Sequence, residues 1–236
     1  MNNLTKEEQK ILKKLDNEKK IQDFLNKLKI NFEKNGETCM SPRRVLKTRK
    51  AHCIEGAMLA YLCLKLAGKK AFLVDLKTCK SDFEHVICVF KKNGKFGAIS
   101  KTNHAVLRYR EPVYNSIREL VMSYFHEYFD NKGRKTLRSF SVPVDLFSVF
   151  GNDWITSKEN LWEIHDYLDK VKHFKILTRK QISSLRKADK IEIKAGKIVE
   201  YNKFNKAEIQ KGLEDIKRGR VMPIEQVAKQ WRISLK

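Results

Sequence analysis

Two residues in this sequence are of types that do chemistry together: Cys53, in the run AHCIEGAMLAYLCLKLAG, and His85, in FEHVICVF. A cysteine attacks as its thiolate, and a helix N-terminus favours the thiolate through unpaired backbone N–H groups and the positive end of the dipole. Ile54, Ala57, Met58, Tyr61, Leu62 and Leu66 recur at helical spacing, and Gly68 stands where the helix would end, so Cys53 falls at such an N-terminus. A histidine must then take the thiol proton and return it to a leaving amine, while a third polar group fixes its tautomer. His85 opens a predicted strand directly after the polar run 80–84, a place from which a side chain reaches out of a sheet.

The orienting group is sought on the returning strand. Asn93-Gly94 between two apolar runs is a strong hairpin signal, and a two-residue turn there pairs Lys92 with Lys95. That register sets Thr102 opposite His85 and Ser100 diagonal to it on the same face. Asn103 reaches His85 if a bulge turns it to that face, and Asp82 is a further candidate. Taken singly, a buried helix thiol and a core histidine are commonplace; it is their joint order and spacing that argues for chemistry. His52 points elsewhere on the helix and is not the base, and Glu55 either caps the helix N-terminus, the favoured reading, or sits near the thiol and raises its pKa. Cys39, Cys79, Cys88 and His85 fit no zinc-ligand spacing, and neither a metal nor an organic cofactor is called for.

Several elements must position this pair. Ile11, Leu12, Leu15, Ile21, Phe24, Leu25 and Leu28 give residues 5–34 an amphipathic helical pattern, and 34–49 reads as a loop. Residues 71–76 and 85–90 read as strands, 114–129 as a second amphipathic helix, 136–150 as extended chain, and Trp154 and Trp162 flank a helical start. Beyond 175 come a short helix over RKQISSLRKA, a hairpin over KIEIKAGKIVEY, and helices over 206–218 and 223–231.

The order of helix-borne Cys53, His85 in FEHVICVF and a return strand after NGK resembles the transglutaminase-like superfamily of papain-type thiol enzymes over residues 39–105. The continuation SKTNHAVLRYREPVYNSIRELVMSYFHEYF looks like a bacterial subgroup of it. The resemblance implies an α+β fold with a papain/transglutaminase-like core, the Cys helix packed on an antiparallel sheet, Cys53 as nucleophile and His85 as general base and acid. The position that carries an Asp in that superfamily is Ser100 here, an acceptor without charge.

The 236 residues carry 50 basic and 28 acidic side chains, a net charge of +22, with the excess spread along the chain rather than gathered into an arm. Nucleic acid is admitted as a partner on charge, but a solvated basic surface is the favoured reading. The five cysteines show no C-x-x-C pair, which fits reduced thiols in a cytoplasmic protein. The charged N-terminal stretch and the lack of a long apolar run speak against secretion and membrane spanning. The expected organisation is an N-terminal amphipathic helix over 1–35, the core over 36–172, and a small basic α/β appendage over 173–236 whose helices offer a surface for a protein partner. The expected function is a peptidase, amidase or transamidase acting on a peptide or protein amide. The alternative is a catalytically inactive scaffold that binds protein or nucleic acid.

Overall fold

The computed structural model describes residues 4–33 and 36–199 together with Glu214. The chain divides after Val199, and the architecture below is that of the first unit.

The N-terminal pattern resolves into two helices, α1 (Lys6–Lys14) and α2 (Glu18–Lys27), instead of one. Asp16-Asn17 breaks it: the Asn17 side chain accepts from the Lys20 N–H at 3.0 Å and starts a new helix. Strand β1 (Lys29–Ile30) pairs in parallel with β2 (Lys50–Ala51), and between them the expected loop contains α3 (Pro42–Thr48), begun by Ser41 and Pro42. Next comes α4 (Cys53–Leu66), buried on every side from Ile54 to Leu64. A helix apolar all round has neighbours all round, and α4 lies between the sheet and helices α1, α2 and α3.

The sheet comprises β3 (Ala71–Thr78), β4 (His85–Lys92), β5 (Lys95–Ile99), β6 (Arg110–Tyr114), β7 (Leu137–Ser141) and β8 (His173–Lys175) in the order β6-β5-β4-β3-β7-β8. Every neighbouring pair is antiparallel. Asn93 and Gly94 both take positive φ, 50° and 79°, the geometry of the hairpin turn their types demand. The pairing runs in the expected register from Lys92↔Lys95 to Cys88↔Ile99. Helix α5 (Ile117–Phe125) covers the face opposite α4, setting Leu120, Val121 and Tyr124 against Val74, Ile87 and Val89. With both faces covered, the first six residues of β4 are buried without alternation. The result is an α+β protein with helices on both sides of an antiparallel six-stranded sheet.

Two further expectations change. Of the stretch 136–150 only Leu137–Ser141 is strand, because Asp145 caps a helix, α6 (Leu146–Phe150). Helix α7 (Trp162–Lys170) starts at Trp162, and α8 (Arg179–Ser183) is the short helix anticipated there. The hairpin expected over KIEIKAGKIVEY is a helix, α9 (Lys190–Gly196), since Asp189 and Glu192 form a capping box that outweighs the β-branched residues. The helices anticipated over 206–218 and 223–231 lie outside the described residues.

Candidate active site

Cys53 is the first residue of α4, partly exposed, at the meeting of two clefts of about 560 and 280 Å³. His85, the first residue of β4, lines the larger cleft beside it. Burial opposes ionisation of Cys53, yet hydrogen bonds from His52 and His85, and their charges, hold its thiol well below the ordinary value of 9.0. The other cysteines differ. Burial pushes Cys39 and Cys63 up to about 12 and Cys88 higher still. Cys79 is partly exposed, and its thiol is lowered as the Ser81 hydrogen bonds outweigh burial.

The chain beyond β5 brings Ser100 to the histidine, with His85 Nε2 2.8 Å from Ser100 Oγ. Ser100 Oγ also donates to the Leu107 carbonyl at 2.7 Å. A hydroxyl has one proton, so Oγ accepts from His85 Nε2–H, and Nδ1 is left as the ring nitrogen able to take a proton from sulfur. Asn103 makes no hydrogen bond to His85 among the described residues; its Oδ1 lies buried in the cleft wall with no partner there. Asp82 is directed at Thr136, which donates to it at 2.5 Å.

Sequence reasoning did not find what holds Ser100. Gln22 on α2 accepts from the Ser100 N–H at 3.0 Å and donates to its carbonyl at 2.9 Å, so α2 holds Ser100 by both of its backbone polar groups. Lys101, 1 % exposed, donates to the Leu28 carbonyl at 2.7 Å. It crosses α4 so closely that a Cβ on Gly56 would stand 2.5 Å from the Lys101 Cβ, which is why the second turn of α4 carries glycine. Gln22→Leu should leave the buried Ser100 N–H and C=O unpaired and cost about 1–3 kcal/mol, measurable by chemical denaturation.

Glu55 does more than cap. It accepts from the His52 N–H at 3.0 Å, from Met40 N–H at 2.9 Å and from Thr38 Oγ1 at 2.8 Å, and so ties the segment before α3 to the start of α4. Although burial works against its charge, the hydrogen bond and charge of His52 lower its carboxyl. His52 turns its ring to this carboxylate, with Nε2 3.3 Å from Glu55 Oε1, and lines both clefts with Cys53, contrary to the expectation that it points elsewhere on the helix. Its adjacency to Cys53 was the sequence signal for this role.

The one group of side chains among the described residues able to converge on a metal ion is Asp75, Glu84 and Asp169. The Lys77 ammonium already sits among them, 3.7 Å from Glu84 and bonded to Asp169. Cys39, Cys79, Cys88 and His85 do not gather as such a group. Among the described residues no helix is long and apolar enough to cross a membrane.

A thiol at the N-terminus of a buried helix, beside a histidine on an antiparallel sheet, defines a protein of the transglutaminase-like, cysteine-protease-like class. Within that class, the family profile described as Vasohibin matches residues 11–154, and the chain belongs to the vasohibin family. The matched stretch runs from α1 through α6 and contains Cys53, His85 and Ser100. The match does not speak for a bacterial subgroup. No curated protein is similar to the chain.

Proposed function

We propose that this protein is a thiol peptidase in which Cys53 is the nucleophile, His85 the general acid and base, and Ser100 the residue that orients His85. The observation that carries this reading is that Cys53 and His85 line one open cleft and that His85 Nε2 lies 2.8 Å from Ser100 Oγ. The Cys53 sulfur adds to the peptide carbonyl, and the developing oxyanion faces the backbone N–H at the start of α4. As the C–N bond breaks, the amine leaves with the proton of the His85 imidazolium. In the second half His85 takes a proton from water, hydroxide adds to the thioester, and Cys53 leaves again as thiolate.

The substrate is a peptide or protein chain rather than a small amide. The larger cleft is long enough to run from the Asn31–Glu33 segment to Gly196, and its wall presents Phe83, 90 % exposed. An exposed aromatic suits an apolar side chain of a substrate peptide. With a cleft open to water, hydrolysis is favoured over amine transfer.

The test is to incubate the protein with a proteome-derived peptide library and read new termini by mass spectrometry, with Cys53→Ala alongside. New ends made by the wild type alone are expected. Identical product lists from both proteins would overturn the proposal and leave a scaffold that binds without cutting.

A further inference from the structure

Two imidazoles, not one, line the clefts beside Cys53, and they are backed differently. His85 rests on an uncharged hydroxyl. His52 rests on two carboxylates: its Nε2 lies 3.3 Å from Glu55 Oε1, 3.4 Å from Glu33 Oε1 and 2.8 Å from the Thr38 carbonyl. We infer that His52 is the lasting cation beside the nucleophile, that it holds the sulfur as thiolate throughout the cycle, and that its charge is what allows the orienting residue of His85 to be a serine. This rests on the reading of Cys53 as nucleophile.

The geometry supports a fixed charge rather than a titrating base. Glu55 is 0 % exposed and cannot swing away, because Met40, Thr38 and the His52 backbone all donate to it. A buried carboxylate without a cation would be expensive, and His52 is the cation it faces. The two clefts that meet at the ring are also lined by acidic groups, among them Glu33, Glu37, Asp82 and Glu84, and by Cys53, His85 and Lys101. Burial works against a charged His52, but its hydrogen bonds to Cys53 and Glu55 push the imidazole up to about 11.

The roles then divide. In an enzyme with a single histidine, one imidazolium must both stabilise the thiolate and give its proton to the leaving amine, so the stabilising charge disappears as the proton leaves. Here His85 can spend its proton on the amine while His52 keeps its own. When the thioester breaks, the departing thiolate again meets a cation. A carboxylate at position 100 would help His85 remain charged; a serine orients it and leaves it free to exchange its proton.

The experiment is the pH profile of Cys53 alkylation by iodoacetamide, read by peptide mass spectrometry, for the wild type, His52→Gln and His52→Lys. His52→Gln is expected to move the acid limb up by at least about one pH unit, slowing alkylation at pH 6 by about tenfold or more. His52→Lys, which restores a cation, should keep the limb near that of the wild type. A His52→Gln profile superimposed on the wild type would overturn the inference, as would a lysine variant shifted as far as the glutamine one. If His52→Gln does not melt cooperatively, His52→Asn replaces it; the same upward shift is expected, and its absence counts against the inference. Peptide cleavage is scored separately. A shifted limb in a protein that cuts no peptide would uphold the role of His52 and sink the peptidase reading, whereas cleavage with an unmoved limb would do the reverse.

Discussion

His85→Gln should lower kcat/KM on any peptide the wild type cleaves by about 10³-fold, which is about 4 kcal/mol of transition-state stabilisation. Glutamine keeps a polar group near Ser100 and fits the space of a side chain 7 % exposed, so the fold should survive. What it cannot do is protonate the leaving amine. Because His52 remains beside the sulfur, alkylation of Cys53 should suffer far less than turnover. That split between labelling and catalysis separates a lost acid from a collapsed site. Turnover within about threefold of the wild type would remove His85 from the mechanism, since general acid–base catalysis is worth about 10²–10⁴.

Glu55→Ala should have the largest effect on stability, about 2–4 kcal/mol, because it removes the buried partner of a half-buried imidazolium and leaves the donors at Met40 and Thr38 unpaired. The loss also has a pH signature. The Glu55 carboxyl is lowered in the folded protein, burial notwithstanding, by His52, so its contribution is present above its ordinary value of 4.5 and is lost as pH falls through the folded value. His52 is raised to about 11 by Cys53 and Glu55 against the effect of burial. Its contribution is therefore fully present below its ordinary 6.5 and fades as pH rises towards 11. The difference between wild type and Glu55→Ala should be greatest between about pH 4.5 and 6.5 and shrink on either side. Denaturant midpoints across that range measure it, and a difference independent of pH would show that Glu55 acts through shape alone.

Much of the site-bearing core could be read from the chain because its signals are local. The helical period after Cys53, the β-branched run after His85 and the Asn93-Gly94 turn each specify their own geometry, and the turn fixes the register that carries Ser100 towards His85. What could not be read depends on contacts between distant residues. Gln22 reaches Ser100 across 78 positions, and nothing in the α2 pattern marks that glutamine as different from a solvated one. His52 was expected to face away because helical spacing alone separates neighbouring side chains. Its ring is drawn back by Thr38 and Glu33, from a segment whose path no periodicity encodes. At the C-terminal side the error was one of competing signals. Ile191, Ile193 and Ile198 around Ala195-Gly196 suggest a hairpin, yet Ile191 and Ile198 are 74 % and 60 % exposed and the only ladder contact there among the described residues is a lone bridge of Val199 to His104, so the Asp189–Glu192 capping box decides.

The most direct measurement is the rate of iodoacetamide alkylation at pH 6, resolved for all five cysteines of the native protein by peptide mass spectrometry. Cys53 should label first, by at least about tenfold over Cys79, because two imidazoles stabilise its thiolate whereas a hydroxyl and nearby arginines act on Cys79. Cys39, Cys63 and Cys88, buried and raised, should stay unlabelled until the protein unfolds. Cys79 labelling first, or all five labelling alike, would contradict the claim that Cys53 is the nucleophile.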